Sequence, residues 1–285
     1  MKDKVNFVGI GPGKSGTTWI YLALKSHPSV AISKVKETNY FNDNFHRGEN
    51  WYHNLFPIDS RKTHGEISNT YIFDKTVPKK IYSYNPQMKI ISVLRDPIER
   101  AVSHYFFLKR NGATYGNFSD AILDRPDLLS RGLYFSLLSN YAIQFSRDQL
   151  FIRTFDDFKF NTEGFYGELC EFLGIANLYT QMPESSRLSS SAPRSAYLAR
   201  LAKYSALKVR SMGFPIVVES LKRSSLSSIL YKKTSYDLFS EVQDNLGTLI
   251  SYYDEDVSAL SEFMGMDLKK TWFSKYAESP SSEGV

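Results

Sequence analysis

A chain of 285 residues with one cysteine, Cys170, cannot close an internal disulfide and has no thiolate set for a metal cluster. Cys170 reads as a buried structural thiol within the helical run Phe165 to Leu173. No stretch of about 18 apolar residues occurs, which excludes a hydrophobic helix long enough to span a bilayer. The opening Met1-Lys2-Asp3-Lys4 leads straight into a strand-like Val5 to Ile10, too short for a signal-peptide core and without a cleavage site, so a cytoplasmic location is expected. Internal repeats are absent too. What is present is ordinary globular composition: 42% hydrophobic and 15% aromatic residues, enough to bury a sizeable α/β core.

The net charge of +5 suggests a polyanionic partner, but the excess is local. Residues 194–233 carry nine Lys/Arg against the single acid Glu219, so the remainder of the chain is net negative. Within that segment Leu198, Leu201, Ala202, Ser205 and Val209 fall near one helical face, ringed by Arg200, Lys203, Lys208 and Arg210. Two readings stand: a solvated helix packed on the domain, or an amphipathic surface for anionic lipid or an acidic glycan, peripheral at a membrane. Nucleic acid is not expected, since no nucleic-acid motif accompanies the charge.

β-branched apolar runs alternate with helical patterns. Val5 to Ile10, Val30 to Ile32, Lys89 to Leu94 and Gln149 to Thr154 read as strands; Thr17 to Ser26, Pro97 to Arg110 and Thr162 to Leu173 read as helices. This order implies an α/β, P-loop-like three-layer fold, a central mainly parallel sheet flanked by helices. Asp96-Pro97-Ile98-Glu99 places an N-cap acid, a proline at N1 and a glutamate at N3, while Gly112 and Gly174 close two helices. Leu123 to Gly132 and the Ser-rich Ser185 to Pro193 read as connections. A single domain over residues 1–277 is expected, with 278–285 as a disordered tail.

The first strand runs into Gly11-Pro12-Gly13-Lys14-Ser15-Gly16-Thr17-Thr18, directly before a helix. A glycine loop feeding a helix N-terminus converges backbone N–H groups and the positive end of the dipole, and Lys14 adds a full charge. The hydroxyls of Ser15, Thr17 and Thr18 supply further donors to an anion. A Walker loop would need glycine at position 8, where Val8 stands. Lys14-Ser15-Gly16-Thr17-Thr18-Trp19 instead resembles the 5′-phosphosulfate loop of the sulfotransferases that use 3′-phosphoadenosine 5′-phosphosulfate (PAPS). That resemblance implies that Lys14, Ser15, Gly16, Thr17 and Thr18 hold the phosphosulfate and that Trp19 lies against the adenine; a core aromatic is the other reading of Trp19.

The strand Lys89 to Leu94 delivers Arg95 rather than the carboxylate that would hold magnesium in a nucleoside triphosphatase. A guanidinium fork suits a phosphate monoester. Arg95-Asp96-Pro97 with Arg100 and Ser103 resembles the family's 3′-phosphate motif, which implies that Arg95 and Ser103 bind that phosphate. Helix-surface salt bridging explains Arg100 equally well. The late glycine-rich nucleotide loop of the family has no clear copy; Arg194, in Ala192-Pro193-Arg194-Ser195, lies in the corresponding region.

In-line sulfuryl transfer needs a base for the acceptor hydroxyl and a cation for the leaving phosphate, and Lys14 suits the second task. Lys36-Glu37-Thr38-Asn39-Tyr40-Phe41 resembles the segment of the heparan-type and other carbohydrate sulfotransferases whose glutamate is the base, which makes Glu37 the expected base. His104 is the alternative, His27 reads as a helix cap, and His46, His53 and His64 carry no partner signal. Gly65 to Tyr71 also resembles the heparan-type enzymes, yet Ile67 stands where several of them have a lysine; Glu66 remains a candidate for shaping the acceptor site. The expected reaction is metal-independent transfer from PAPS to a hydroxyl, of a carbohydrate or glycolipid first and of a small alcohol or phenol second. A P-loop kinase and a non-catalytic polyanion-binding module are the competing readings.

Overall fold

The computed structural model describes residues 4–57, 59, 62–179, 191–193, 231–233 and 238–277. Arg194, most of the basic segment 194–233 and the tail 278–285 lie outside the described residues.

Five strands, β1 (Phe7–Gly11), β2 (Val30–Ile32), β3 (Thr63–Ile67), β4 (Lys89–Leu94) and β5 (Leu150–Thr154), form one sheet in the order β2-β3-β1-β4-β5. Each neighbouring pair is parallel. All five carboxyl ends therefore open on one edge, and the chain departs from β1 toward β2 and β3 on one side and β4 and β5 on the other. A ligand crevice belongs above such a reversal.

The period of two along the strands sorts side chains into two cores. Val8, Ile10, Ile90, Leu94, Leu150 and Ile152 join one apolar cluster, while Phe7, Ile91, Val93 and Phe151 join the other. The second core is covered by α1 (Thr17–Ser26) and α9 (Thr162–Leu173), including the buried Cys170. The first is covered by α2 (Gly48–His53), α3 (Val77–Tyr84), α4 (Pro97–Arg110), α5 (Phe118–Asp124), α6 (Asp127–Ser130) and α7 (Tyr134–Ala142), joined by α10 (Leu238–Val242), α11 (Leu246–Met264) and α12 (Leu268–Ala277). Between β5 and α9 lies α8 (Phe155–Phe160). A separate antiparallel pair joins β6 (Ser191–Pro193) to β7 (Tyr231–Lys233).

The helix-start chemistry holds at α4: the Asp96 carboxylate accepts from the Ile98 and Glu99 backbone N–H groups, and Pro97 occupies the first turn. Gly174 closes α9 in the left-handed conformation. The backbone N–H of His27 caps α1 by donating to the Leu24 carbonyl, and its ring lies 2.8 Å from the Ala176 carbonyl.

Two expectations are corrected, and one strand is added. Leu123 to Gly132 is not a plain loop, because it contains the end of α5 and all of α6; the Asn117 capping box starts α5, and Leu128 is buried. Ser191–Pro193, read as part of a loose connection, pairs as a strand. β3, beside the central strand β1, carries no strand signal in the sequence, since Thr63-His64-Gly65-Glu66-Ile67 has one large apolar residue and no alternation. The Glu66 carboxylate on it is instead satisfied internally. Tyr71 and Ser68 hydroxyls donate to the Glu66 carboxylate at 2.6 Å each and Tyr52 at 3.3 Å.

Candidate active site

Three strand ends meet at the crevice. From β1 comes the loop Gly11 to Gly16. A bulge between Gly9 and Gly11 breaks the register with β4, and the buried Ser92 hydroxyl donates to the Gly11 carbonyl at 2.7 Å, fixing where the loop departs. Gly11 has φ +100°, and a β-carbon there would collide with the Asn69 carbonyl, so only glycine fits.

Lys14 adopts φ 76°, the left-handed region that L side chains rarely occupy. Gly16, also left-handed, sits at the N-cap of α1, and the helix has neither a side-chain cap nor an acid in its first turn. That arrangement leaves the positive end of the dipole without a protein counter-charge on α1. The Ser15 hydroxyl is fully buried and has no hydrogen-bond partner among the described residues. A buried orphan hydroxyl in a cationic glycine loop fits an incoming phosphate or sulfate oxygen.

Lys14 lies with Nζ 5.1 Å from the centre of the Phe107 ring. Burial first, then Arg110 and Arg95, push its ammonium down to about 8. Arg95, at the end of β4, donates from Nε and Nη2 to Glu99 Oε2 at 2.9 and 2.7 Å, and its guanidinium lies 5.3 Å from the centre of the Phe155 ring. Phe155, the first residue of α8 directly after β5, also packs on Gly16, where a β-carbon would come within 3.1 Å of it. The two expected anion sites thus share one aromatic wall. Ser103 is buried on α4.

Trp19 sits 8% exposed, its ring centre 4.7 Å from that of Phe158 and 6.2 Å from that of Tyr166. Most of its surface therefore belongs to the second core. Arg100 is corrected: it is buried, not a surface salt-bridging group, and it donates to the Leu128 carbonyl.

The third strand end carries Asn69, two residues beyond β3. Its Nδ2 donates to Glu37 Oε1 at 2.8 Å, and a β-carbon on Gly13 would lie 3.7 Å from the same nitrogen. One amide side chain therefore stands between the glycine loop and the Glu37 carboxylate. Lys36 Nζ reaches the same oxygen at 2.9 Å, while the Glu37 side chain stays 36% exposed. Glu37 is left-handed at φ 65°, and its N–H donates to the Ile67 carbonyl at 2.8 Å. The loop holding it is pinned by the Glu66 cluster, in which Tyr71 OH accepts from Phe41 N–H and Ser68 Oγ accepts from Asn39 N–H. Glu66 is fully buried, so it cannot face an acceptor; it fastens the Glu37 loop from beneath.

His104 is pushed down to about 3, by burial first and then by Arg100 and Arg131. Among the described residues no group of three or more His, Cys, Asp or Glu could hold a metal ion, and no helix is long and apolar enough to cross a membrane. Asn69, Phe155 and Glu99 were missed as site residues. Only their places at or just past strand ends could have marked them.

A parallel sheet with an uncapped, lysine-bearing glycine loop at its point of reversal defines an anion-binding α/β protein of P-loop-like build. The sulfotransferase domain family model matches residues 6–212, and the chain belongs to that family. It is 31% identical to the human bifunctional heparan sulfate N-deacetylase/N-sulfotransferase 3 over 196 residues, 61% of this chain and 22% of that protein. It is 37% identical to the membrane-associated sulfotransferase kil1 of Dictyostelium discoideum over 114 residues, 37% of this chain and 24% of that one. The chain thus spans about a quarter or less of the length of these curated relatives. The fold matches that of a sulfotransferase from Alicyclobacillus acidocaldarius with a TM-score of 0.67, at 21% identity, covering 95% of this chain and 99% of that one.

Proposed function

We propose that this protein transfers the sulfuryl group of PAPS to a carbohydrate hydroxyl. The observation that carries the reading is Asn69, which touches the Glu37 carboxylate with its amide and abuts the glycine loop with the same group. A carboxylate and an anion cradle set on either side of one residue support a reading in which donor and acceptor are held close together.

PAPS supplies the sulfuryl group and a phosphate leaving group. Lys14, Ser15, Gly16, Thr17 and Thr18 hold the 5′ end, Lys14 balancing the charge that develops on the departing oxygen. Arg95 and Ser103 hold the 3′-phosphate, and the edge of Trp19 left outside the core borders the adenine. Glu37 takes the proton of the acceptor hydroxyl. An imidazole held at about 3, as His104 is, makes a poorer base near neutral pH. The heparan-type relatives favour a glycan acceptor.

Calorimetric titration with 3′-phosphoadenosine 5′-phosphate (PAP) tests the donor half. Binding is expected without magnesium, and Arg95→Ala should weaken it about 10–100-fold, the size of a lost charge-assisted pair. Absence of PAP binding by the unaltered protein would refute the proposal. An acceptor panel with labelled PAPS, sugars against phenols and simple alcohols, then tests the acceptor class.

The pH dependence follows from Lys14. Its ammonium is present below about 8 and is lost as pH rises through that value, so PAP affinity should be full near pH 7 and fall about tenfold by pH 9. The phosphate monoester itself, with a second pKa near 6, changes little over that interval. Titrations at pH 7 and 9 measure it; a flat profile would place Lys14 away from the bound anion.

A further inference from the structure

Arg95 is held by a chain of charges that ends in the last helix. The Nε and Nη2 edge of its guanidinium is taken by Glu99 Oε2. The other oxygen of that carboxylate, Oε1, accepts from Lys275 Nζ at 2.5 Å. Lys275 also lies 2.7 Å from Oδ2 of Asp96, the fully buried N-cap of α4, and Tyr276 OH donates to that same oxygen at 2.8 Å. One turn back along α12, Trp272 Nε1 donates to Asp156 Oδ2 at 3.2 Å, next to the Phe155 ring under the Arg95 guanidinium. α12 therefore grips both elements that frame Arg95. Trp272, Lys275 and Tyr276 on α12 lie beyond the family-matched stretch 6–212.

The charges of Arg95, Lys275, Asp96 and Glu99 sum to zero. Glu99, with its side chain 17% exposed, divides its charge between Arg95 and Lys275. Burial works against the Lys275 ammonium, yet Asp96 and Glu99 outweigh it and hold its pKa above the ordinary lysine value. Without that ammonium the group becomes net negative, Glu99 acts on Arg95 alone, and the potential met by a second anion at Arg95 falls.

We infer that Lys275 is a positioning residue for the 3′-phosphate: through Glu99 it keeps Arg95 oriented and available to a phosphate monoester, making the last helix part of donor selection. The inference rests on the reading of Arg95 as the 3′-phosphate residue. Selectivity is the readout, since PAP carries the 3′-phosphate and adenosine 5′-monophosphate (AMP) lacks it.

The experiment titrates the full chain with both nucleotides. Lys275→Gln, which keeps two N–H donors but has no charge, should weaken PAP about five- to tenfold and leave AMP within about twofold. Lys275→Arg should restore the ratio. Lys275→Gln placed on Arg95→Ala should cost PAP nothing further. Equal losses for both nucleotides, or an unchanged PAP to AMP ratio in a protein that melts normally, would overturn the inference. Should Lys275→Gln melt early, the Lys275→Arg ratio and the Arg95→Ala background decide: a ratio lost despite the retained charge sinks the idea. If Arg95→Ala itself leaves the ratio intact, the reading of Arg95 falls and the inference with it; if only the Lys275 variants do, the inference alone falls.

Discussion

Replacing Glu37 with glutamine is expected to cut sulfuryl transfer by about 10²–10⁴-fold while leaving PAP affinity unchanged, the range a positioned general base contributes. Glutamine matches the side chain in shape, and its carbonyl can still accept from Asn69 or Lys36, which hold Glu37 Oε1 at 2.8 and 2.9 Å. Only basicity is lost. Neither the loop after β2 nor the Glu66 cluster beneath it should move, because the Glu37 N–H to Ile67 carbonyl bond belongs to the backbone. Single-turnover transfer with labelled PAPS reads the loss, and calorimetry with PAP reads the retention. Transfer near the unaltered rate would remove Glu37 from the chemistry.

The second large effect is at Lys14. Lys14→Ala should lower the transfer rate by about 10²–10³-fold, as expected when a donor aimed at developing charge is deleted, and should weaken PAP as well. The left-handed backbone at this position, φ 76°, bears a β-carbon in both lysine and alanine, so its strain is common to the two proteins and cancels. What differs is the ammonium. The fall in PAP affinity between pH 7 and 9 should accordingly vanish in Lys14→Ala, and its persistence would assign the titration to another group. Lys14→Gly relaxes the backbone while removing the same charge; a rate like that of Lys14→Ala would show that the loss comes from charge, not from the course of the loop.

Much of the framework around the glycine loop and Arg95 was legible because it is local. A strand, a glycine loop and a helix follow one another without interruption, and both β4 and α4 appear with the bounds that their apolar period and the Asp96-Pro97 start signal imply. β3 was not legible, since hydroxyls from Tyr52, Ser68 and Tyr71 neutralise its polar character only once the chain has folded. Glu37 is singled out through resemblance alone, and the left-handed turn at it has no residue-type signature, glutamate being an unusual occupant of that region. Arg100 was misjudged for the reverse reason: a charged residue in a helical pattern reads as surface, and its burial against the Leu128 carbonyl depends on α6. The tie from Lys275 to Glu99 spans 176 positions, and nothing in the short-range pattern of either segment announces the other.

Gly11 has a consequence for how this protein can change. The Asn69 carbonyl occupies the space where any side chain at Gly11 would begin, while the Asn69 amide holds Glu37. Asn69 thus acts as a common pin for the glycine loop and the Glu37 loop, which on the proposed function meet different demands, one set by the sulfuryl donor and the other by the acceptor. Acceptor range can be retuned only by substitutions that leave this pin in place, so new specificities should arise outward along the walls of the crevice and not at its floor.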